Sequence, residues 1–172
     1  MLTVRRIRTG EGHLFRRMRL ASLRESPSAF GATYESAQLR TLESWAEQAD
    51  RTAQGTDRST FIAFSGESPI GIAALYRMGE GTDVGELLQV WVSPEYRGQG
   101  VTTDLMDAVF RWAKENGFRT VVAGVARGNA RALRFYQKFG FIKVGHHTFQ
   151  LGNDPQRDWV LCRDVRRGGS VA

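Results

Sequence analysis

The sequence predicts an α/β (α+β) fold, in which a mixed, mostly antiparallel central sheet of about seven strands has helices on both faces. Two observations lead to this class. Three strand-like segments between residues 58 and 92 are joined by short turns, as in antiparallel hairpins. The strands at 84–92 and 120–125 are each followed by a segment with helical periodicity, which is typical of parallel strands joined through a helix.

The predicted order of elements is β-α-α-β-β-β-α-β-α-β-β. Helical segments place apolar residues three and four positions apart, whereas strands are short runs rich in branched and aromatic residues. The predicted strands are 2–7, 58–64, 69–78, 84–92, 120–125, 141–151 and 158–165, and the predicted helices are 11–24, 34–54, 101–116 and 129–140. Because no long linker interrupts this order, we predict one domain over residues 1–166 and a flexible tail over residues 167–172.

Composition and charge limit the classes of function. The 172 residues carry a net charge of +6, and 41% are hydrophobic, which is ordinary for a globular domain. No apolar run approaches the ~18 residues of a membrane span, so we expect no membrane partner. One cysteine excludes an internal disulfide, and with only three histidines we expect no metal site and a cytoplasmic location. The basic residues are scattered along the chain, which argues against a nucleic-acid partner.

A glycine-rich turn, RGQGVTT at residues 97–103, precedes a long amphipathic helix. The first turn of a helix presents unpaired N–H groups and the positive end of the helix dipole, to which a phosphate can bind. Gly98 and Gly100 leave that approach open, Arg97 adds a guanidinium, and Thr102 and Thr103 add hydroxyls. The turn matches neither a P-loop nor a dinucleotide fingerprint. Taken alone, it is more typical of a plain connection between a strand and a helix, because short glycine patterns are common.

Two separated motifs resemble the GNAT superfamily of acetyl-CoA-dependent N-acetyltransferases. The cofactor signature of that family, Arg/Gln-x-x-Gly-x-Gly/Ala after a strand ending in Val-x-Pro, is matched by Arg97 and Gly100, with Val92 and Pro94 upstream. Its second signature is an asparagine, then a helix carrying a tyrosine, then Gly-Phe. The matching residues are Asn129, Ala132, Tyr136, Gly140 and Phe141. The close match covers residues 85–144, and the order of elements agrees over the whole chain.

The resemblance implies that acetyl-CoA is the cosubstrate. Its diphosphate is expected against the amides of the glycine turn, and its pantetheine arm beside the strand at residues 86–92. Thr102 stands where the family has glycine or alanine, so we expect binding to be tolerated but weaker. The implied cofactor-binding residues are Val90, Trp91, Val92, Arg97, Gly98, Gln99, Gly100, Val101, Thr102, Thr103, Asn129, Ala132 and Tyr136.

Tyr136 and Glu86 are the catalytic residues that the resemblance implies. Tyr136 matches the general acid of the family, and a phenol (pKa ~10) exchanges a proton with a thiolate (thiol pKa ~8.5) at little cost. The alternative for Tyr136 is a packing aromatic on a helix that also carries Phe135 and Phe139. Glu86 is a candidate base acting through water, and its alternative is a solvent-facing strand residue. Asn129 is expected to bind pantetheine, to cap the following helix, or both.

The resemblance further implies direct acetyl transfer, within a ternary complex, to a primary amine of a small molecule or a protein N-terminus. The acceptor side is expected around the loop at residues 24–36, the helix with Trp45 and residues 146–157. No acidic cluster identifies the amine, although Glu25, Glu35, Glu43 and Glu47 would contribute if their faces converge. A non-catalytic acyl-CoA-binding module of the same fold is the alternative function. Because dimers are common in the family, a homodimer is one expected assembly.

Overall fold

The structure, a computed structural model, describes residues 1–27, 32–126, 128–145 and 159–166 of the chain. Its helices and strands follow the predicted order closely, with one predicted helix divided in two. The strands are β1 (Leu2–Arg6), β2 (Arg58–Ser65), β3 (Ser68–Arg77), β4 (Val84–Val92), β5 (Thr120–Val125), β6 (Ile142–Val144) and β7 (Trp159–Asp164), and the helices are α1 (Gly12–Glu25), α2 (Tyr34–Gln38), α3 (Leu42–Ala53), α4 (Val101–Glu115) and α5 (Ala130–Lys138).

The seven strands form one sheet with the neighbour order β1-β2-β3-β4-β5-β7-β6. Pairs β1–β2, β2–β3, β5–β7 and β6–β7 are antiparallel, whereas β4 and β5 are parallel. The predicted mixed, mostly antiparallel sheet of seven strands is therefore confirmed. Strand β6 spans only Ile142–Val144, and the rest of the predicted strand at 141–151 extends into residues outside the described ranges.

The chain divides into two compact units. The first comprises Met1–Tyr76 and Leu88–Trp112, and the second comprises Arg77–Leu87 and the chain from Ala113 onward. Strand β4 and helix α4 each begin in one unit and end in the other. A single domain over residues 1–166 stays a prediction, and the predicted tail at 167–172 lies outside the described residues.

In the first unit, α1 and α3 contact each other, and α3 contacts β2. Trp45 is 1% exposed, and its ring meets Phe15 edge-on with 5.5 Å between ring centroids. Gly12 allows the two helices to approach closely, since a Cβ at that position would lie 2.7 Å from Cα of Ala46. The remaining buried residues of this core are Ile7, Met18, Leu23, Ala37, Ala49, Ile62, Ile72 and Trp91.

The predicted helix over residues 34–54 is two helices, because the chain starts a new helix at Thr41. Thr33 caps α2 by accepting a hydrogen bond from the N–H of Ser36, and Thr41 caps α3 by accepting one from the N–H of Ser44. A threonine cap requires extended backbone at its own position, which ends the preceding helix. The prediction of a single helix here is therefore wrong, although its apolar face is retained in α3.

In the second unit, β5 lies between β4 and β7. It pairs with β4 over three residue pairs, from Val84–Thr120 to Glu86–Val122, and with β7 over six. Helix α4 ends before Gly117, whose φ of +80° is the left-handed conformation expected of a C-terminal glycine. One apolar cluster of this unit contains the buried Val122 and Val160, packed by Met78, Val84, Val144 and Cys162.

Within the described ranges, no helix combines the length and the apolar character that a membrane crossing requires. The same residues contain no group of three or more histidine, cysteine or acidic side chains placed to hold a metal ion.

Candidate functional site

The glycine turn lies between a short 3₁₀ helix, Pro94–Tyr96, and helix α4. Gly98 and Gly100 have φ angles of +79° and +84°. A residue with a Cβ is strained in this left-handed region, so the backbone itself requires glycine at both positions. A Cβ added at either glycine would meet no atom within 4 Å. The turn therefore depends on glycine for its conformation and is open on the side where a side chain would stand.

Helix α4 begins immediately after this turn, at Val101. Its first helical backbone bond runs from the N–H of Asp104 to the oxygen of Gly100, at 3.0 Å. The N–H groups that precede Asp104 have no acceptor within the helix, and the dipole makes this end partly positive. Val101 buries its side chain, Thr102 is half-buried and Thr103 is exposed. The amides of the turn and of the first helical turn are thus arranged to bind an anion.

Arg97 connects the glycine turn to two other parts of the first unit. Its Nε donates to the backbone oxygen of Val92 at 3.0 Å, and its Nη2 donates to Oε2 of Glu25 at 2.8 Å. The Arg97 and Glu25 side chains are each 33% exposed. The sequence predicted Arg97 only as a hydrogen-bond donor to phosphate, whereas two of its three guanidinium nitrogens bind the protein. The Gln99 side chain also turns back, since its Nε2 donates to the oxygen of Glu95 at 2.9 Å.

Glu25 is the last residue of α1, and the same carboxylate oxygen accepts two further hydrogen bonds. The indole Nε1 of Trp91 donates to Oε2 at 2.8 Å, and the hydroxyl of Ser26 also donates to it. Desolvation opposes ionisation, but the hydrogen bonds from Arg97, Ser26 and Trp91 outweigh it and lower the pKa of the Glu25 carboxyl to about 2. The sequence predicted Glu25 only as a possible contact for the acceptor amine. Its bonds to Trp91 and Arg97 join residues 66 and 72 positions apart, which leaves no local sequence signal.

Strand β4, which carries the residues predicted to pair with pantetheine, is irregular at Gln89. Gln89 has a φ of 60°, and its buried Oε1 has no hydrogen-bond partner in the described part of the chain. Leu88, Gln89 and Val90 are all half-buried, whereas Trp91 and Val92 are both buried. The alternation of faces along this strand therefore does not continue through Gln89, because the left-handed residue breaks the two-residue period.

Asn129 caps helix α5 in the second unit. Its Oδ1 accepts a hydrogen bond from the N–H of Ala132 at 3.1 Å, so the predicted capping role is confirmed. The half-buried Ala132 lies in the first turn of the same helix. Within the described ranges, the Nδ2 amide of Asn129 has no hydrogen-bond partner, which leaves this donor for a ligand.

Tyr136 and Glu86 both lie in the second unit, and both are half-buried. The Tyr136 ring meets Phe135 and Phe141 edge-on, with 5.5 Å and 5.3 Å between ring centroids. Helix α5 buries none of its residues completely, so Tyr136 is a packed residue but not a core one. Glu86 stands opposite Val122 in the parallel pairing of β4 with β5. Their catalytic roles stay predictions, and the acceptor-side residues 28–31 and 146–157 lie outside the described ranges.

Known proteins match this chain in sequence. The family model for the acetyltransferase (GNAT) family matches residues 20–141. An uncharacterized N-acetyltransferase of Mycobacterium tuberculosis is 40% identical over 96 residues, which are 56% of this chain and 60% of that relative. The chain therefore spans less than two thirds of the length of this relative.

Solved structures match the fold over most of the chain. A GNAT-family acetyltransferase from Streptococcus pneumoniae has a TM-score of 0.76 at 19% identity, covering 95% of this chain and 99% of that one. Spermidine N-acetyltransferase from Vibrio cholerae, solved with CoA and spermine, has a TM-score of 0.71 at 18% identity, covering 95% of both chains. At these identities the likeness shows a shared fold.

Proposed function

The chain belongs to the GNAT acetyltransferase family, and we propose that it transfers an acetyl group from acetyl-CoA to a primary amine. The acceptor is a small molecule or a protein N-terminus, and the amine attacks directly within a ternary complex. The observation that carries the proposal is the open glycine turn at the start of α4, which lies inside the region matched by the family. An amide cradle of this kind suits the diphosphate of a coenzyme A thioester.

The residues present fit coenzyme A. The turn from Gly98 to Gly100 is open to an anion, and the Nδ2 amide of Asn129 is an unused donor within the described ranges. The carbonyl of Val92 already accepts the bond from Arg97, so we assign pairing with pantetheine mainly to the backbone of Val90. When bound, acetyl-CoA supplies an activated acetyl thioester. The chain would orient it through the backbone of the turn and of Val90 and through the side-chain amide of Asn129.

Three groups of the chain would support the transfer. The backbone N–H of Val90 would donate to the oxygen on which negative charge develops. The phenol of Tyr136 would supply a proton to the departing thiolate, and the Glu86 carboxylate would accept a proton from the acceptor ammonium through water. This assignment uses one acid and one base, which is the minimum for moving an acetyl group between sulfur and nitrogen near neutral pH.

Titration calorimetry and thermal unfolding with acetyl-CoA test the proposal directly. At a ligand concentration of 100 Kd, binding should raise the free energy of unfolding by about 2.7 kcal/mol. Release of free thiol with a panel of primary amines, including polyamines and short peptides, then tests turnover. Absence of binding at saturating acetyl-CoA would contradict the proposal, and binding without turnover on a broad panel would favour the non-catalytic acyl-CoA module.

Thr102 provides a local test of how the turn holds the cofactor. If its β-branched side chain crowds the diphosphate, Thr102→Gly should lower the Kd for acetyl-CoA by about threefold, a gain of roughly 0.6 kcal/mol. Thr102→Ser is the matched variant, because it keeps the hydroxyl and removes only the methyl group. Calorimetry on wild type and the two variants distinguishes crowding by the Thr102 side chain from a favourable contact of its hydroxyl. Unchanged affinity in Thr102→Gly would refute crowding, and weaker binding would show that the hydroxyl contributes a contact.

A further inference from the structure

A single carboxylate oxygen joins the end of α1 to both ends of the segment that leads into the glycine turn. Oε2 of Glu25 accepts from Nε1 of Trp91 and from Nη2 of Arg97, each at 2.8 Å. Trp91 is in strand β4, and Arg97 directly precedes Gly98. All of these residues belong to the first unit, so the connection is internal to one compact body.

Arg97 extends this connection back to the strand. Its Nε bonds to the oxygen of Val92 at 3.0 Å while its Nη2 bonds to Glu25. The side chain therefore closes a loop over residues 92–97, and Glu25 fixes that loop relative to α1. In the described part of the chain, the third nitrogen, Nη1, has no hydrogen-bond partner. A guanidinium held at two nitrogens presents the remaining one in a defined direction.

Charge attraction alone does not explain the importance of this contact. An ion pair whose partners are each 33% exposed is screened by water and contributes little as a simple charge pair. Hydrogen bonds to an ionised carboxylate are directional and stronger than neutral ones, so their main effect is on the orientation of the donors. Trp91 is 8% exposed, and its indole N–H has this carboxylate as its acceptor, which fixes the strand at the same time.

We propose that Glu25 is a positioning residue for coenzyme A, which holds Arg97 and Trp91 so that the glycine turn and Nη1 of Arg97 are ready for the diphosphate. Glu25 acts through these two side chains and has no need to touch the cofactor. The inference rests on the proposed function, since it assumes that the turn binds coenzyme A. The competing effect is that Glu25 withdraws Arg97 from the diphosphate, in which case its removal would tighten binding.

Glu95→Ala is the matched control for Glu25→Ala. Glu95 is an exposed carboxylate two positions before Arg97, and its hydrogen bond comes from the hydroxyl of Ser93. Both substitutions remove one negative charge near Arg97, but only Glu25→Ala removes the acceptor of Arg97 and Trp91. We expect the calorimetric Kd for CoA to rise about tenfold in Glu25→Ala and to stay within about twofold of wild type in Glu95→Ala. Glu25→Gln, which keeps an acceptor oxygen, should lie between them and serves if Glu25→Ala does not fold.

A second measurement follows the contact without any cofactor. The chain has four tryptophans, so indole N–H signals are resolvable by NMR, and Trp91→Phe identifies the signal of Trp91. This signal should shift in Glu25→Ala and Glu25→Gln but not in Glu95→Ala.

Steady-state kinetics provide a further test once an acceptor amine is identified. In Glu25→Ala, the KM for acetyl-CoA should rise about tenfold while kcat changes less than about threefold. A general loss of folded protein would instead lower kcat at constant KM and would overturn the positioning role.

The outcomes separate the two proposals. If wild-type protein does not bind CoA, the proposed function fails, and Glu25 then has no cofactor to position even where the indole signal shifts. If wild-type protein binds CoA and Glu25→Ala binds it equally or more tightly, the proposed function stands and the positioning role is refuted. Weaker binding in Glu25→Ala together with a shifted Trp91 signal, neither of them in Glu95→Ala, supports it.

Discussion

Tyr136→Phe is expected to lower kcat for acetyl transfer by about 100-fold, which is the lower range for loss of a general acid. The substitution removes only the phenol oxygen. The ring contacts with Phe135 and Phe141, at 5.5 Å and 5.3 Å between centroids, are retained, so the fold should be preserved. Without the phenol, the departing thiolate takes its proton from water, which is less well positioned. Thiol release under saturating acetyl-CoA and amine measures the effect.

Tyr76→Phe is the control for this experiment. It also removes one half-buried phenol oxygen, but Tyr76 lies on β3 in the first unit, where its hydroxyl accepts a hydrogen bond from Gln48. We expect kcat to change less than about threefold in this variant. A Tyr136→Phe enzyme with wild-type kcat would show that Tyr136 is a packing residue and that another group protonates the thiolate.

Gly12→Ala should lower the free energy of unfolding by about 2 to 3 kcal/mol, which is the cost of forcing extra atoms into a packed interface. The added Cβ would lie 2.7 Å from Cα of Ala46 and 3.0 Å from its backbone nitrogen. Backbone atoms cannot move aside as the end of a flexible side chain can, so α1 and α3 must separate. Their separation also weakens the packing of Phe15 against Trp45.

The sign of this effect is informative, because replacing glycine by alanine in a helix ordinarily stabilises it by about 0.5 to 1 kcal/mol. Urea unfolding of wild type and variant, compared at constant m-value, gives the difference. His13→Ala, at the exposed neighbouring position, is the control for changes at the start of α1, and it should remain close to wild type. A Gly12→Ala protein at least as stable as wild type would contradict the close approach of α1 and α3.

Local sequence patterns predicted the helix ends that depend on the conformation or side chain of a single residue. The glycines before α4 and the asparagine before α5 have the positions that helix ends require, and the structure places Gly98, Gly100 and Asn129 there. The division between α2 and α3 also has a local sequence signal, since Thr41 stands three residues before Ser44, which is the spacing of a helix N-cap. Helical periodicity of the apolar residues masked that signal.

Features created by tertiary structure could not be predicted in the same way. The left-handed φ of Gln89 has no sequence signature, because most such positions are glycine or asparagine. The bonds of Glu25 to Trp91 and Arg97 join residues 66 and 72 positions apart. The family signature identified Arg97 as part of the site but could not show which of its nitrogens the protein itself would use.

The division of the chain into two units has a consequence for fragments of this protein. The chain leaves the first unit at Arg77, returns at Leu88 and leaves again after Trp112. No single cut separates the units, so neither can be expressed or transplanted as one contiguous piece. A fragment trimmed to the family match at 20–141 would lose β1, β6 and β7, and would leave the edges of β2 and β5 open to aggregation. Shortened or chimeric versions should therefore keep the chain from β1 through β7.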